Sequence, residues 1–523
     1  MEDNKKEVKG KVFDKIAKAF KDFTKITVTT IGKHNVDKFV VDKRLIVPAT
    51  VTNVESIIGE KEIEIADFSQ CTDLLNIDIK AFEDDSPKDD SFEEDSPEDD
   101  SFEEDSPEDG SFEEDSPEEG NTLKEIIFPK NITTIIGRFN VVQSIEKIDL
   151  SQCDKLEKIE KDTFWNCNTL KEVKLPKSIT AIEETAFKFC EALEGIDLSQ
   201  CDKLEKIEED TFTMCKALKE VKLPKSITAI GESAFKFCEA LEEIDLSQCD
   251  KLKKILKKTF WACNALKEVK LPDSITTIED GAFYGCRSLK EINIPNKVTA
   301  IGERAFKLCE ALEKIDLSQC EKLEKIEEYT FCGCNTLKEV KLPDSITAIE
   351  DGAFFGCRSL KEINISNSVT SIGETAFQYC KALEKIDLSQ CDKLKKIKKD
   401  TFGACVALKE VKLPDNITAI EDGAFFGCRS LKEINIPNKV TSIEETAFQY
   451  CEALGEKALS QYDKFKKNKA RKKEEERRIR EERRRIREES ERRKEKLKKK
   501  IIICIVIFWI IVLALMFIYE STK

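Results

Sequence analysis

The sequence predicts an elongated solenoid of short parallel strands, followed by one charged helix and one membrane-spanning helix. Three observations predict it. A phenylalanine recurs thirteen times between Phe164 and Phe448, always 23 or 25 residues after the last. Each is followed three residues later by a cysteine, from Cys167 to Cys451. The run Ile501 to Tyr519 then extends for 19 residues without a charge. A period of this length marks stacked supersecondary units. One unit cannot hide its own apolar side and buries it against its neighbours.

Residues 1–40 carry Val12, Phe13, Ile16, Phe20 and Phe23 at near-helical spacing. This predicts an amphipathic cap over the first coil. Lys11, Lys15, Lys18 and Lys21 leave a membrane-surface helix as the alternative. No apolar leader core lies between Met1 and Phe20, so no export signal is expected. Residues 41–82 read as the first coils. Pro48-Ala-Thr-Val-Thr-Asn-Val54 follows the pattern of the later units, and Asp67-Phe-Ser-Gln-Cys71 with Phe82 matches a 25-residue one.

Residues 83–120 hold 21 acidic side chains and one lysine, Lys88. Ser-Pro recurs every ten residues from Ser86, and Ser-Phe at 91, 101 and 111. Charge without aliphatics predicts a disordered segment. Asn121-Thr-Leu-Lys-Glu-Ile-Ile-Phe-Pro129 matches Asn168-Thr-Leu-Lys-Glu-Val-Lys-Leu-Pro176. In the regular unit three residues separate Phe164 from Asn168, whereas 38 separate Phe82 from Asn121. The acidic block is therefore expected to be an insertion in one loop of a repeat, where added length costs least.

The main body is residues 121–455. Each unit contains Leu-x-x-Ile/Val-x-Leu/Ile, as at Leu218, Val221 and Leu223, and its alternation is that of a half-buried strand. Pro224 or its equivalent ends the strand, and Ser226 to Ile230 forms a second short alternating piece. The 25-residue spacing occurs where Ser-Gln-Cys follows the strand, as at Cys201 and Cys249. Counting Phe82 and the worn unit at Phe139 gives about fifteen coils, a body of roughly 70 Å at ~4.8 Å per strand.

The motif Pro-x-Ser-Ile/Val-Thr-x-Ile-Gly-x-x-Ala-Phe-x-x-Cys-x-x-Leu-x-x-Ile-x-Leu, found in tandem over residues 122–455, resembles leucine-rich repeats of the BspA type. That family occurs in surface and adhesion proteins of bacteria and protists. The resemblance implies a leucine-rich-repeat type solenoid, right-handed, with parallel β-strands on its concave face and short strands and turns on its convex face. It also implies binding or adhesion. It fixes no binding residue by position.

Of the 21 cysteines, thirteen follow the phenylalanines, six lie in Ser-Gln-Cys, and Cys332 and Cys504 remain. Thirteen equivalents one coil apart predict a buried thiol ladder, with cysteine as a small hydrophobe. Metal chemistry would want ligands converging from several directions. No such set is evident, and His34 is the single histidine. A long row of free thiols fits a reducing compartment.

The outward strand positions include Lys222, Asp245, Lys270, Asn293, Asp316, Lys341, Asn364, Asp387, Lys412 and Asn435, beside Glu220, Glu243, Glu268, Glu291 and Glu339. These are the candidate protein-binding face. The simpler reading is a solvated face of cross-strand ion pairs, each worth little. No aromatic stripe runs along these positions, so no nucleic-acid groove is expected. Near-identical coils also suit a spacer.

Residues 456–500 predict a basic charged helix. Between 464 and 500 there are 21 Lys/Arg and nine Glu. Glu474–Arg478, Glu476–Arg480, Glu481–Arg485, Glu488–Arg492 and Glu489–Arg493 stand four apart, the spacing that supports a lone helix. Ile479 and Ile486 are a heptad apart, which keeps a coiled coil as an alternative. Residues 501–519 are long enough for a transmembrane helix, with the short tail 520–523 after it. Lys498, Lys499 and Lys500 form a lipid-facing basic anchor, and anionic lipid is expected near 464–500. The positive-inside tendency places the repeats on the cytosolic side, as in a tail-anchored protein. The alternative is a surface adhesin with its repeats outside. The sequons at Asn131, Asn364 and Asn416 bear on that choice, because a glycan would mean outside. A contact between the acidic insert and the basic helix is a further expectation.

No Gly-rich phosphate loop, singular carboxylate dyad or nucleophile constellation is present in the sequence. The expected function is a non-enzymatic, membrane-anchored protein-binding scaffold without a cofactor. The alternative is an adhesin binding host or matrix proteins.

Overall fold

The computed structural model describes residues 30–31, 36–54, 62–78, 123–142 and 144–521, together with 15, 16 and 18. These form a parallel-strand solenoid of about sixteen turns and one C-terminal helix, Glu456–Ser521. At ~4.8 Å per turn the rod is roughly 75 Å long.

Each coil contributes one strand to each of two ladders. The first ladder holds the Leu-x-x-Ile/Val strands, such as Glu172–Lys174, Gly195–Asp197 and Glu220–Lys222, paired parallel and in register. The second holds the short pieces after the proline, such as Lys158–Ile159 and Ala181–Ile182. Their central residues, Val173, Ile182, Ile196 and Val221, are buried, while the flanking residues face outward. Parallel strands one coil apart need no crossover helix, because each coil is itself the crossover.

Strands Ile65–Asp67 and Asn76–Asp78 pair in register with Glu125–Ile127 and Thr134–Ile136. The described chain on either side of 79–122 is thus two adjacent rungs of both ladders. The acidic block itself lies outside the described residues, as do Phe82 and most of the cap expected over residues 1–40. Of that cap, Val36–Phe39 forms a 3-10 turn with Val36 and Phe39 buried. Val40–Val41 then pairs antiparallel with the first ladder strand, Arg44–Ile46. This reversal closes an edge that would otherwise offer unpaired backbone to another chain.

The core is a stack of rings. From Phe139 to Phe448, successive phenylalanines lie 4.8–5.6 Å apart between centroids, with planes within 3–22° of parallel. Phe139, in the worn unit, joins the stack fully. Offset stacking adds roughly 0.5–1.5 kcal/mol per pair beyond burial. Phe128 meets Phe139 edge-on at one end, and Tyr462 meets Phe448 edge-on at the other.

From Glu243 onward the coil lengths repeat as 25, 23 and 23, a block of three coils. The hydrogen-bonded sheets divide at the same interval, into strand groups such as Lys254–Ile255 to Ala300–Ile301 and Lys325–Ile326 to Ser371–Ile372. The coil around Asn364 departs further, since residues 361–366 form no regular strand.

Candidate binding surfaces

All ten candidate positions of the first ladder are exposed. Eight lie in strands; Asn293 falls just past Glu291–Ile292, and Asn364 in the irregular stretch. Register places Asp245 beside Lys270, Asp316 beside Lys341, and Asp387 beside Lys412, with Asn435 next. The lysine nitrogens reach those aspartates at 3.6, 3.3 and 3.2 Å. Each lysine also meets the glutamate two residues earlier, as Lys222 does Glu220 at 3.1 Å and Lys341 does Glu339 at 3.1 Å.

The aspartates have a second task. Ser247, Ser318 and Ser389 each donate both hydroxyl and N–H to the aspartate two residues before. The hydroxyl first, then the N–H, holds these carboxyls below their usual range. They fix the turn into Ser-Gln-Cys. Much of the face is thus occupied with itself. Glu243, Glu268 and Glu291 stand directly opposite one another, a like-charge row that Lys270 and Lys314 offset. Two coils before that row Gly195 stands between Glu172 and Glu220 and floors a shallow groove beside Glu146, Lys147, Lys171, Glu172 and Glu194.

The cysteines have a role the sequence did not disclose. From Cys190 to Cys451 each thiol of the main ladder donates to the carbonyl of the phenylalanine one coil back, as Cys238 to Phe212 and Cys309 to Phe283, both at 3.2 Å, whereas Cys167 turns to the Trp165 carbonyl of its own coil. The Ser-Gln-Cys thiols donate to the proline one coil back, as Cys201 to Pro176 at 3.5 Å and Cys249 to Pro224 at 3.7 Å, or to Ser366, which stands in the proline's place, in the case of Cys391. A thiol is a weak donor, but it faces a buried carbonyl with spare acceptor capacity. Burial, then the nearby aspartates, pushes the thiols of Cys201, Cys249 and Cys391 up to about 11. All 21 cysteines are free. Among the described residues no group of three or more His, Cys, Asp or Glu is placed to hold a metal ion.

The helix is one continuous element of 66 residues, ~99 Å long. Its start, ahead of the charged run 464–500, packs against the solenoid. Ala458 and Tyr462 are buried and Phe465 packs partly against the core. The Tyr462 hydroxyl donates to the Glu445 carbonyl, and Lys469 pairs with Glu444. The first turns therefore cap the last coil, a stripe at i, i+4 and i+7 hidden among lysines. Further along, the pairs formed include Glu474–Arg478 and Glu489–Arg493, as expected, with Arg484–Glu488 and Arg487–Glu491 in place of others. Lys498, Lys499 and Lys500 are exposed. The helix is long and apolar enough to cross a membrane, and none of that window is buried. The expected contact between 83–120 and 464–500 falls partly on residues outside those described.

An aromatic row does exist, on the turns rather than the strands. Beside the buried phenylalanines run Trp165 against Phe189, Trp261 stacked on Tyr284 at 3.8 Å, Phe355 edge-on to Tyr379, and Phe426 edge-on to Tyr450. Reading only the strand positions missed it. The signal was the residue one or two places after each ladder phenylalanine.

The family described as BspA type leucine rich repeat region matches in overlapping stretches from 109 to 455. A leucine-rich repeat protein from Bacteroides ovatus is 29% identical, with a TM-score of 0.50, over 64% of this chain and 77% of its own. A leucine rich cell surface protein from Faecalibacterium prausnitzii is 25% identical, with a TM-score of 0.36, over 64% of this chain and 78% of its own. No curated protein matches the chain. Two ladders, a phenylalanine spine and the matched motif agree: the chain belongs to the BspA type leucine-rich repeat family.

Proposed function

We propose that the chain is a non-enzymatic scaffold that holds a protein-binding solenoid at a membrane. Repeats of this family are typical of surface proteins and generally serve as binding scaffolds. The observation that carries the reading is the helix. It is capped onto the last coil at Tyr462 and ends in a stretch where Ile507 is 51% and Phe508 62% exposed. Within the described residues nothing covers that surface, and a hydrocarbon layer would. The basic residues 464–500, ending in Lys498, Lys499 and Lys500, would lie on anionic headgroups.

Flotation with phosphatidylcholine–phosphatidylserine vesicles tests it. The full chain floats, and a chain lacking 501–519 floats weakly and only at low salt. Equal flotation of both at high salt overturns the anchor. The lysines before Ile501 favour repeats on the cytosolic side. The family's association with cell surfaces favours the outside. Protease protection in sealed cellular vesicles decides: cytosolic repeats are digested without detergent, external ones only after it.

A further inference from the structure

The edge carrying the aromatic row breaks its own pattern at one place. In the block around Phe283, Arg287 pairs with Glu310 of the next coil at 3.6 Å; around Phe425, Arg429 pairs with Glu452 at 3.8 Å. The backbone register is the same in both, Ala311 N–H to Arg287 O at 3.0 Å and Ala453 N–H to Arg429 O at 3.2 Å. It is the same again at Ala382 N–H to Arg358 O, 3.1 Å. There, however, Lys381 stands where the glutamates stand. Gln378-Tyr-Cys-Lys-Ala-Leu383 differs from Gln449-Tyr-Cys-Glu-Ala-Leu454 at that residue alone. Arg358 and Lys381 are exposed cations on adjacent coils, and among the described residues neither pairs with a carboxylate.

Beside them the surface is apolar. Tyr379 is 43% exposed and lies edge-on to Phe355. Val406, 36% exposed, takes the place that Asn264 and Asn335 hold in the other blocks. Two uncompensated cations next to an exposed tyrosine and valine suit a ligand that is both acidic and aromatic. Aligned positives cost something in the empty state and gain most from a polyanion.

The chain carries such a ligand. Ser91-Phe-Glu-Glu-Asp-Ser-Pro97 recurs at 101 and 111. By alignment this segment fills the loop between a ladder phenylalanine and the residue four places on, the same loop that holds Arg358 in its own coil. The described rungs that flank it, Asn76–Asp78 and Thr134–Ile136, belong to the ladder that Ala348–Ile349 continues. Ten coils separate the strand at Asn76–Asp78 from that at Ala348–Ile349, a distance of ~48 Å. The twenty residues from Phe82 to Phe102 span up to ~68 Å. A tethered segment that can span the gap meets its site at an effective concentration far above that of a free one.

We propose that the acidic segment 83–120 docks in cis on this edge, its carboxylates on Arg358 and Lys381 and a phenylalanine against Tyr379 and Val406. The basic helix is the competing acceptor and becomes an outcome of the test. The full chain is prepared in detergent micelles with p-benzoylphenylalanine in place of Phe102, irradiated at low and high salt, and its crosslinks mapped. Crosslinks to 355–406 are expected, falling about fivefold or more in K381E and at high salt. Lys381→Glu writes the sequence of the neighbouring block, so its fold is already demonstrated by that block. An unchanged melting profile confirms it. Crosslinks to 464–500, or crosslinks to the rod that K381E leaves unchanged, overturn the proposal.

Discussion

Ile278 and Phe283 in a middle coil are fully buried, whereas Ile507 and Phe508 in the terminal helix are more than half exposed. The same residue types serve two architectures. In the coils the core side chains find their neighbours 23 or 25 residues away, one coil up and one down, so most of the apolar surface closes on itself. In the helix neighbours are three and four residues away, and the partners are ion pairs such as Arg484–Glu488 at 2.9 Å. Such pairs support a helix by only ~0.3–0.5 kcal/mol each. The solenoid is thus stabilised from within. The far end of the helix depends on what surrounds it.

The largest expected effect tests that contrast directly. Phe283→Ala opens a cavity between Phe260 and Phe306, rings now 5.4 Å on either side of it. A loss of about 3–5 kcal/mol is expected. Because each coil touches only its neighbours, the loss should appear as early unfolding of the surrounding coils, followed by urea titration and amide exchange. Ile507→Ala should leave the unfolding of the coils unchanged. A comparable shift from both substitutions would mean that helix and solenoid unfold as one unit.

The thiols give the next effect. Burial holds Cys201 and Cys249 at about 11 in the folded chain, against ~8.5 for an unfolded thiol. A raised pKa favours the neutral form in the folded state. Its contribution is complete below ~8.5 and is lost as pH rises toward the folded value. Each such thiol should therefore cost about 1.4 kcal/mol per pH unit across that window. Thermal melts between pH 7 and 10 should show steep alkaline destabilisation of the coils. Cys201→Ala with Cys249→Ala should make the decline shallower. A flat profile would contradict the buried ladder.

These effects rest on what the residue order disclosed. Phenylalanine and cysteine recurrence reveals the stack, because a coil can bury a ring only against its equivalent. The pairing of Ile65–Asp67 with Glu125–Ile127 was likewise legible once Asn121 to Pro129 was aligned with Asn168 to Pro176. The thiol bonds to Phe212 and Phe283 carbonyls were not, since they depend on where the backbone turns. The Tyr462 cap was masked by surrounding lysines that outnumber its apolar stripe. On the first ladder the positions were legible and their employment was not. Asp245 looks like a free surface carboxylate until Ser247 and Lys270 are seen to hold it.

The smallest effect separates the two regions by sign. Two places after each ladder phenylalanine the backbone is left-handed: φ is 57° at Ala404 and 69° at Gly427, equivalent residues one coil apart. An L side chain in that region is strained by roughly 1–2 kcal/mol. A Cβ on Gly427 would meet Ala404 Cα at 3.7 Å, an ordinary contact, so Gly427→Ala should cost the torsional strain less about 0.4–1 kcal/mol that a stiffer unfolded chain returns, a net loss below ~1 kcal/mol. Ala404→Gly removes the strain but frees the unfolded chain, which returns about 0.4–1 kcal/mol of the gain. The net should be a stabilisation below ~1 kcal/mol. Ala470 is exposed in the C-terminal helix, where the same Ala→Gly change should instead cost about 1 kcal/mol and lower local amide protection. Opposite signs for one substitution follow because the coil demands a backbone that alanine resists, while the helix demands the one it prefers. Loss of stability at both sites would show that the turn at Ala404 is held by its neighbours rather than by its own torsions.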